Sequence, residues 1–326
     1  MKINILSILT ILIILLATVY CFFKGKPFVG ILINEIYLSP NGKEILYVYE
    51  NNNNNSSSIY KFKFKDSIPK LLIKKENWNL SQPSYSIDEK KIIYRAWQKN
   101  NPIISIFTAN SDGSNPKEIY KDSLLFDPKF SKYNIEEIIF VKANDYSNHS
   151  PFVRELPNGM DLYSFNLKNK QIKKQTNNNY YSINYYDFID INNFVINSTS
   201  EGVFVSRTID YNRQILNLAN KNIDSNYLDQ LFESPLSYSP LLKKYLLSTF
   251  HELYMWNGTD KKLEKIYTCE LGKTINSTSF FACEDKILIS SNEIVTIINY
   301  SGKIINRIKI PIPPLPRESF RMGDKR

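Results

Sequence analysis

Leu38-Ser39-Pro40-Asn41-Gly42-Lys43-Glu44-Ile45-Leu46-Tyr47 returns, position by position, as Tyr85-Ser86-Ile87-Asp88-Glu89-Lys90-Lys91-Ile92-Ile93-Tyr94. A third copy, Phe130-Ser131-Lys132-Tyr133-Asn134-Ile135-Glu136-Glu137-Ile138-Ile139-Phe140, carries one extra residue in its turn, and a fainter one starts at Tyr238-Ser239-Pro240. Ser39, Ser86 and Ser131 lie 47 and 45 residues apart, so the chain is a repeat. Each phrase reads as a strand, a tight polar turn and a second apolar strand. A third strand follows, as in Ile104 to Ala109, then the hairpin dipeptide Asp112-Gly113, whose residues tolerate positive φ, and a fourth strand from Lys117 to Tyr120. Four strands per unit of about 45 residues is the pattern of a propeller blade.

Pro83-Ser84-Tyr85-Ser86-Ile87-Asp88, together with Ile106 to Asn115, resembles the repeat of the TolB-like β-propellers, and the likeness is good over residues 34 to 177. Tyr185 to Leu218, Tyr238 to Tyr267 and Phe280 to Lys309 keep strand pattern and spacing but lose the turn signature. The resemblance implies an all-β, six-bladed propeller of four-stranded antiparallel blades. It also implies an extracytoplasmic location and a binding platform without catalysis. Residues 28 to 310 divided by a period of about 47 give six blades as well. A ring needs closure, and Phe28 to Ile33 is apolar enough to be expected to pair with the last blade near Ile304 to Ile310.

Of the 326 residues 43% are hydrophobic and 22% charged, enough for a large core, and 22 Tyr with 19 Phe favour strands. The net charge of +9 could signal nucleic acid, but the Lys residues are scattered in pairs and no arginine-rich stripe exists, so no nucleic-acid partner is expected. In Lys61-Phe62-Lys63-Phe64-Lys65 the alternation fits Phe packed inward and Lys outward on an exposed blade strand better than a base-stacking surface. Two His and three Cys leave no multi-ligand metal site and no disulfide scaffold, and no cofactor is expected. Cys269 and Cys283 are expected to be free thiols.

Ile5 to Phe23 is uncharged and near the length that spans a bilayer. Its exit through Tyr20, Cys21, Phe22 and Phe23 offers no small residues for cleavage, so residues 1–26 read as a signal-anchor or transmembrane segment, with secretion as the outcome if it is cleaved. Residues 27–310 then form the propeller, and Pro311, Pro313, Pro314 and Pro316 end the sheet and open a flexible tail over residues 311–326. The expected partners are the membrane, through the first segment, and a protein or peptide of the cell envelope, bound by a monomer.

The third blade carries an insertion from Asn144 to Gly159 between its second and third strands, and long loops on rigid scaffolds tend to carry function. This connection shares a face with the links between blades. The candidate partner-binding residues are therefore Asp145, His149 and Arg154 on the insertion, with Trp78, Tyr180 and Tyr181 around the central funnel. A carbohydrate-binding module, or a lyase or hydrolase acting at the same face, is the competing reading. No catalytic residue is assigned, because His149 and His251 stand alone in the sequence and no Gly-x-Ser-x-Gly elbow occurs.

Overall fold

The computed structural model describes residues 31–51, 56–147, 156–198, 202–208, 210, 212–215, 235–258, 263–282 and 284–313. Every element in them is a strand, and the strands form six four-stranded antiparallel sheets, each from one continuous stretch of chain. Blade 1 is β1 (Ile31–Leu38), β2 (Glu44–Asn51), β3 (Ser56–Lys63) and β4 (Lys70–Lys74). Blade 2 is β5 (Trp78–Tyr85), β6 (Lys91–Gln98), β7 (Ile103–Asn110) and β8 (Lys117–Ser123). Blade 3 is β9 (Leu125–Phe130), β10 (Glu137–Ser147), β11 (Leu156–Asn166) and β12 (Ile172–Lys174). Blade 4 is β13 (Tyr185–Phe188), β14 (Asn193–Ser198), β15 (Gly202–Arg207) and β16 (Arg213–Ile215). Blade 5 is β17 (Leu236–Ser239), β18 (Lys244–Ser248), β19 (Glu252–Trp256) and β20 (Glu264–Thr268), and blade 6 is β21 (Ser277–Phe280), β22 (Ile287–Ser291), β23 (Ile294–Ile298) and β24 (Ile304–Lys309). The first strand of each blade is innermost: β1 neighbours β5, β5 neighbours β9, β13 neighbours β17, β17 neighbours β21, and β21 returns to β1.

Alternation explains why the middle strands are apolar on both faces. Leu46 and Val48 of β2 pack towards blade 2 with Leu80, Ile92 and Tyr94, whereas Ile45, Tyr47 and Tyr49 pack towards blade 6 with Leu288, Val295 and Ile297. The same division holds at Ile92 and Ile93 of β6, which face blades 1 and 3. One apolar cluster fills each of the six interfaces, so the core is a ring of wedges whose burial supplies the main driving force.

The serine of the repeated phrase closes the turn between the first two strands. The backbone N–H of Ser39, Ser86 and Ser131 donates to the carbonyls of Glu44, Lys91 and Glu137, each at 2.9 Å. The Ser86 hydroxyl donates to Asp88 at 2.6 Å and accepts from the Lys91 N–H at 2.9 Å, and the Ser39 hydroxyl bonds Asn41 in the same way. A small side chain that is both donor and acceptor satisfies a buried turn from inside. Blades 4 and 6 make the same backbone bond, Ile189 to Asn193 and Phe281 to Lys286, without the serine.

Two findings change the sequence expectations. First, the described part of the segment from Phe28 to Ile33 does not pair with the last blade. Ile31, Leu32 and Ile33 pair with Glu50, Tyr49 and Val48 of their own blade, β24 pairs with β23, and residues 28–30 lie outside the described residues. The reason is a bulge between Ile33 and Ile36, which absorbs Asn34 and Glu35 and makes one eight-residue strand of what reads as two runs. Second, the chain leaving the sheet is held at first: Pro313 is buried, and the Pro311 carbonyl accepts a bond from the Tyr47 hydroxyl at 3.3 Å. Residues 314–326, the apolar segment from Ile5 to Phe23, Cys21 and Cys283 lie outside the described residues, and no described helix is long and apolar enough to cross a membrane. Cys269 is a half-buried free thiol. Phe62 is buried and Lys63 exposed, as the alternation from Lys61 to Lys65 requires.

Gly302 shows how closely the blades meet. It sits at φ +82° in the turn before β24, and a Cβ there would lie 1.9 Å from the Ile266 carbonyl oxygen of blade 5. Gly302→Ala is expected to cost about 2–3 kcal/mol, from backbone strain and a clash with backbone that cannot rotate away. Chemical denaturation checks this, and a cost below about 0.5 kcal/mol would show that the blades separate there without penalty.

Candidate functional site

The innermost strands enclose a central cavity of about 580 Å³, lined from Ile36–Pro40, Gln82, Ser84–Tyr85, Ile87, Asp127, Lys129–Tyr133, Asn184–Phe188, Pro235–Leu241 and Asn276–Ala282. In blades 4 to 6 these strands are four residues long and line the cavity throughout, whereas in blades 1 to 3 only their second halves do. The lining therefore reaches the turns that follow the innermost strands, here called the turn face, opposite the link face where the chain passes between blades.

Two bulges shape the wall. Gln82 at φ 52° and Asp127 at φ 44° each precede a proline, and both β5 and β9 shift register there. The Gln82 side-chain oxygen accepts from the Asp127 N–H at 2.7 Å and from Arg95 at 3.3 Å, which ties one bulge to the next across the blade 2–3 interface. The charges inside are paired. Lys129 lies 2.8 Å from Asp127 and donates to the Tyr186 carbonyl at 2.8 Å. Lys132 lies 2.6 Å from Asp187, whose carboxylate also accepts the N–H groups of Phe188 and Tyr238 at 2.8 Å. With each cation matched to a carboxylate, the cavity has no uncompensated field of the kind that draws polyphosphate.

The remaining lining is hydroxyl, amide and aromatic. Burial, with the Asp190 and Asp187 carboxylates nearby, raises the Tyr133 phenol above its usual pKa. Burial, with Asp190, raises Tyr238, and burial, with Glu44, pushes Tyr85 far up. These phenols stay protonated and serve as hydrogen-bond donors at neutral pH. The hydroxyls of Ser237 and Thr278, both residues more than nine-tenths buried, have no partner among the described residues. At the turn face the lining becomes apolar and open: Ile87, Tyr133 and Leu241 line the cavity while 50%, 41% and 75% exposed. Such a collar around a hydrogen-bonding interior suits an extended segment whose apolar side chains rest on the rim.

The residues expected from sequence lie elsewhere. Asp145 is exposed on β10, where it pairs with Asn158, so the described part of the insertion is a lengthened strand pair. This hairpin meets the link to blade 4: Met160 and Tyr180 exchange backbone hydrogen bonds at 2.8 and 2.9 Å, and Asn144 donates to Asn179 at 3.2 Å. Tyr180 is fully buried in the blade 3–4 core and offers no contact surface, while Tyr181 is half-buried. Trp78 packs edge-on against Phe107 with the Lys75 ammonium 3.2 Å from its ring centre, in the blade 1–2 cluster. None of these four lines the cavity, and His149 and Arg154 lie outside the described residues. The rim residues had a signal in the sequence all the same, because Ile87, Tyr133 and Leu241 stand one or two places after the serine of the repeat. Among the described residues no three His, Cys, Asp or Glu side chains come together as a metal site would need.

No family model and no curated protein matches the chain. Solved structures do. The chain is similar to TolB from Acinetobacter baumannii, with a TM-score of 0.60 and 15% identity over 89% of this chain; the match spans 66% of that chain, just under two thirds of its length. It is also similar to an oligogalacturonate lyase from Vibrio parahaemolyticus, with a TM-score of 0.52, 10% identity, and coverage of 87% of this chain and 79% of that one. A third likeness is to the β-propeller domain of the Trilobed protease from Pyrococcus furiosus, described as having an open velcro topology, with a TM-score of 0.52, 13% identity, and coverage of 88% and 85%. At these identities the likeness establishes the fold, a TolB-like six-bladed propeller.

Proposed function

We propose that the protein is a non-catalytic binding platform for a protein or peptide partner in the cell envelope, held by residues 1–26 at the membrane with the ring on the extracytoplasmic side. The observation that carries this reading is the apolar collar of Ile87, Tyr133 and Leu241 around a cavity whose interior charges are already matched. Such a lining favours an uncharged main chain with apolar side chains over a phosphate or a polyanion. Support for the location comes from the uncharged run of Ile5 to Phe23.

The hydroxyl-rich and tyrosine-rich interior would also suit a sugar ring, and one of the fold's relatives is a lyase, so a carbohydrate ligand is the competing reading. A photo-crosslinking side chain placed in turn at Leu241 and at Tyr146 on the β10–β11 hairpin of the full-length protein, with Lys173 on the outer strand as control, separates the readings. A protein adduct from position 241 and none from position 173 supports the proposal. Adducts only from position 146 on the hairpin would move the site to the link face, and binding on a glycan array without any protein adduct would favour the carbohydrate.

A further inference from the structure

The seam between blades 1 and 6 differs from the other five interfaces. Everywhere else consecutive blades are joined in sequence, the link from blade 4 to blade 5 lying largely outside the described residues, so neighbouring blades are held at high effective concentration. At the seam there is neither a link nor a shared strand among the described residues. It is closed by the apolar cluster of Ile36, Ile45, Tyr47, Tyr49 and Phe62 against Phe281, Leu288, Val295 and Ile297, with one bond from the Ser277 hydroxyl to the Ile36 carbonyl at 3.3 Å.

Into this cluster comes the chain beyond β24. Ile310 is 1% exposed and belongs to the seam core, and its N–H donates to the Glu293 carbonyl at 2.8 Å, fixing it to blade 6. One residue on, the Pro311 carbonyl takes the hydroxyl of Tyr47 from blade 1, and Pro313 is buried again. Prolines at 311 and 313 restrict φ, which lowers the entropy lost when four residues are ordered into a strap.

We propose that Ile310–Pro313 is the latch of the ring: a strap anchored on blade 6 that grips blade 1 and sets how often the seam opens. Because Ile36–Pro40 and Asn276–Ala282 on the two sides of the seam both line the central cavity, opening there widens the cavity from the side. The latch itself does not depend on what the cavity binds.

Hydrogen exchange on the full-length protein tests it. In Ile310→Ser, amides of Ile36–Leu38 and Ser277–Phe280 are expected to exchange at least tenfold faster than in the wild type, with those of β10 and β14 on the far side unchanged. Tyr47→Phe removes only the hydroxyl and is expected to give the same pattern at roughly two- to fivefold, so the test survives if Ile310→Ser does not fold. Equal acceleration in all blades would reduce the segment to ordinary core packing. No change at the seam in Tyr47→Phe, or in Ile310→Ser where it folds, would show that Ile310–Pro313 does not hold the ring shut.

Discussion

Replacing Asp161 by Ala is expected to cost about 3–5 kcal/mol, a drop on the order of 10 °C in Tm for a ring of this size, because it strips a fully buried carboxylate from four partners at once. Asp161 lies on β11 with no side-chain exposure. It sits 2.9 Å from the Lys174 ammonium and accepts the Thr176 hydroxyl at 2.7 Å, the Asn178 N–H at 2.8 Å and the Asn179 N–H at 3.3–3.4 Å. The link from blade 3 to blade 4 is thus wound around one side chain, and Tyr180, the next residue, completes the winding through Met160. Removing the carboxylate leaves a lysine and two amide N–H groups without their acceptor. Asp161→Asn keeps the shape and an acceptor, and should cost about half as much. Denaturant titration of both variants beside Lys174→Met decides the matter. Were Asp161→Ala to cost less than 1 kcal/mol, the link would be held by Met160 and Tyr180 alone.

The second large effect concerns the collar. In the double variant Ile87→Asp with Leu241→Asp, partner capture is expected to fall at least 100-fold while the melting temperature moves by less than about 2 °C. Both side chains are at least half exposed in the free protein, so charge there costs the fold little. In a complex the two carboxylates would be buried against an apolar surface without counter-ions, and each unpaired buried charge costs several kcal/mol. The comparison that matters is with a variant in which 145–158 is replaced by a short turn, since this removes the element that sequence pattern alone favours. Loss of capture only in the shortened hairpin would place the partner on the link face. Loss only in the charged collar would place it on the turn face.

The blades that announce themselves in the sequence are those whose first turn is closed by a side chain. Ser86 with Asp88, and Ser39 with Asn41, leave residues that can be recognised, and the register of blades 1 to 3 follows from them. Ile189 and Phe281 stand where the serine would, and the blade 4 turn is bonded by Asp190 to the Asn192 N–H at 2.8 Å instead, so blades 4 and 6 are visible only as strand-like spacing. Asn34-Glu35 looks like a break, but a bulge swallows two polar residues without ending the strand. In the sequence an irregular loop such as 144–159 attracts attention and a regular position does not. Residues after the repeat's serine recur in several blades and gain their meaning only when the ring brings Ile87, Tyr133 and Leu241 around one opening, which no linear spacing displays. The pair of Lys132 with Asp187 is likewise legible only once blades 3 and 4 are side by side.

Each blade being one uninterrupted length of chain also governs how the molecule answers to force. Pulled by its two ends, a ring whose first and last strands were woven into one sheet would have to shear a ladder before anything gave way. Here the load falls on the packing between Ile36, Tyr47, Phe281 and Ile297, where no ladder bond joins the two blades among the described residues, so the circle parts first and the blades then peel off one after another from either side of the seam. By the same logic the chain ends have no privileged position: joined across the seam and cut at the Lys75–Asn77 link instead, the sequence would still encode six complete sheets.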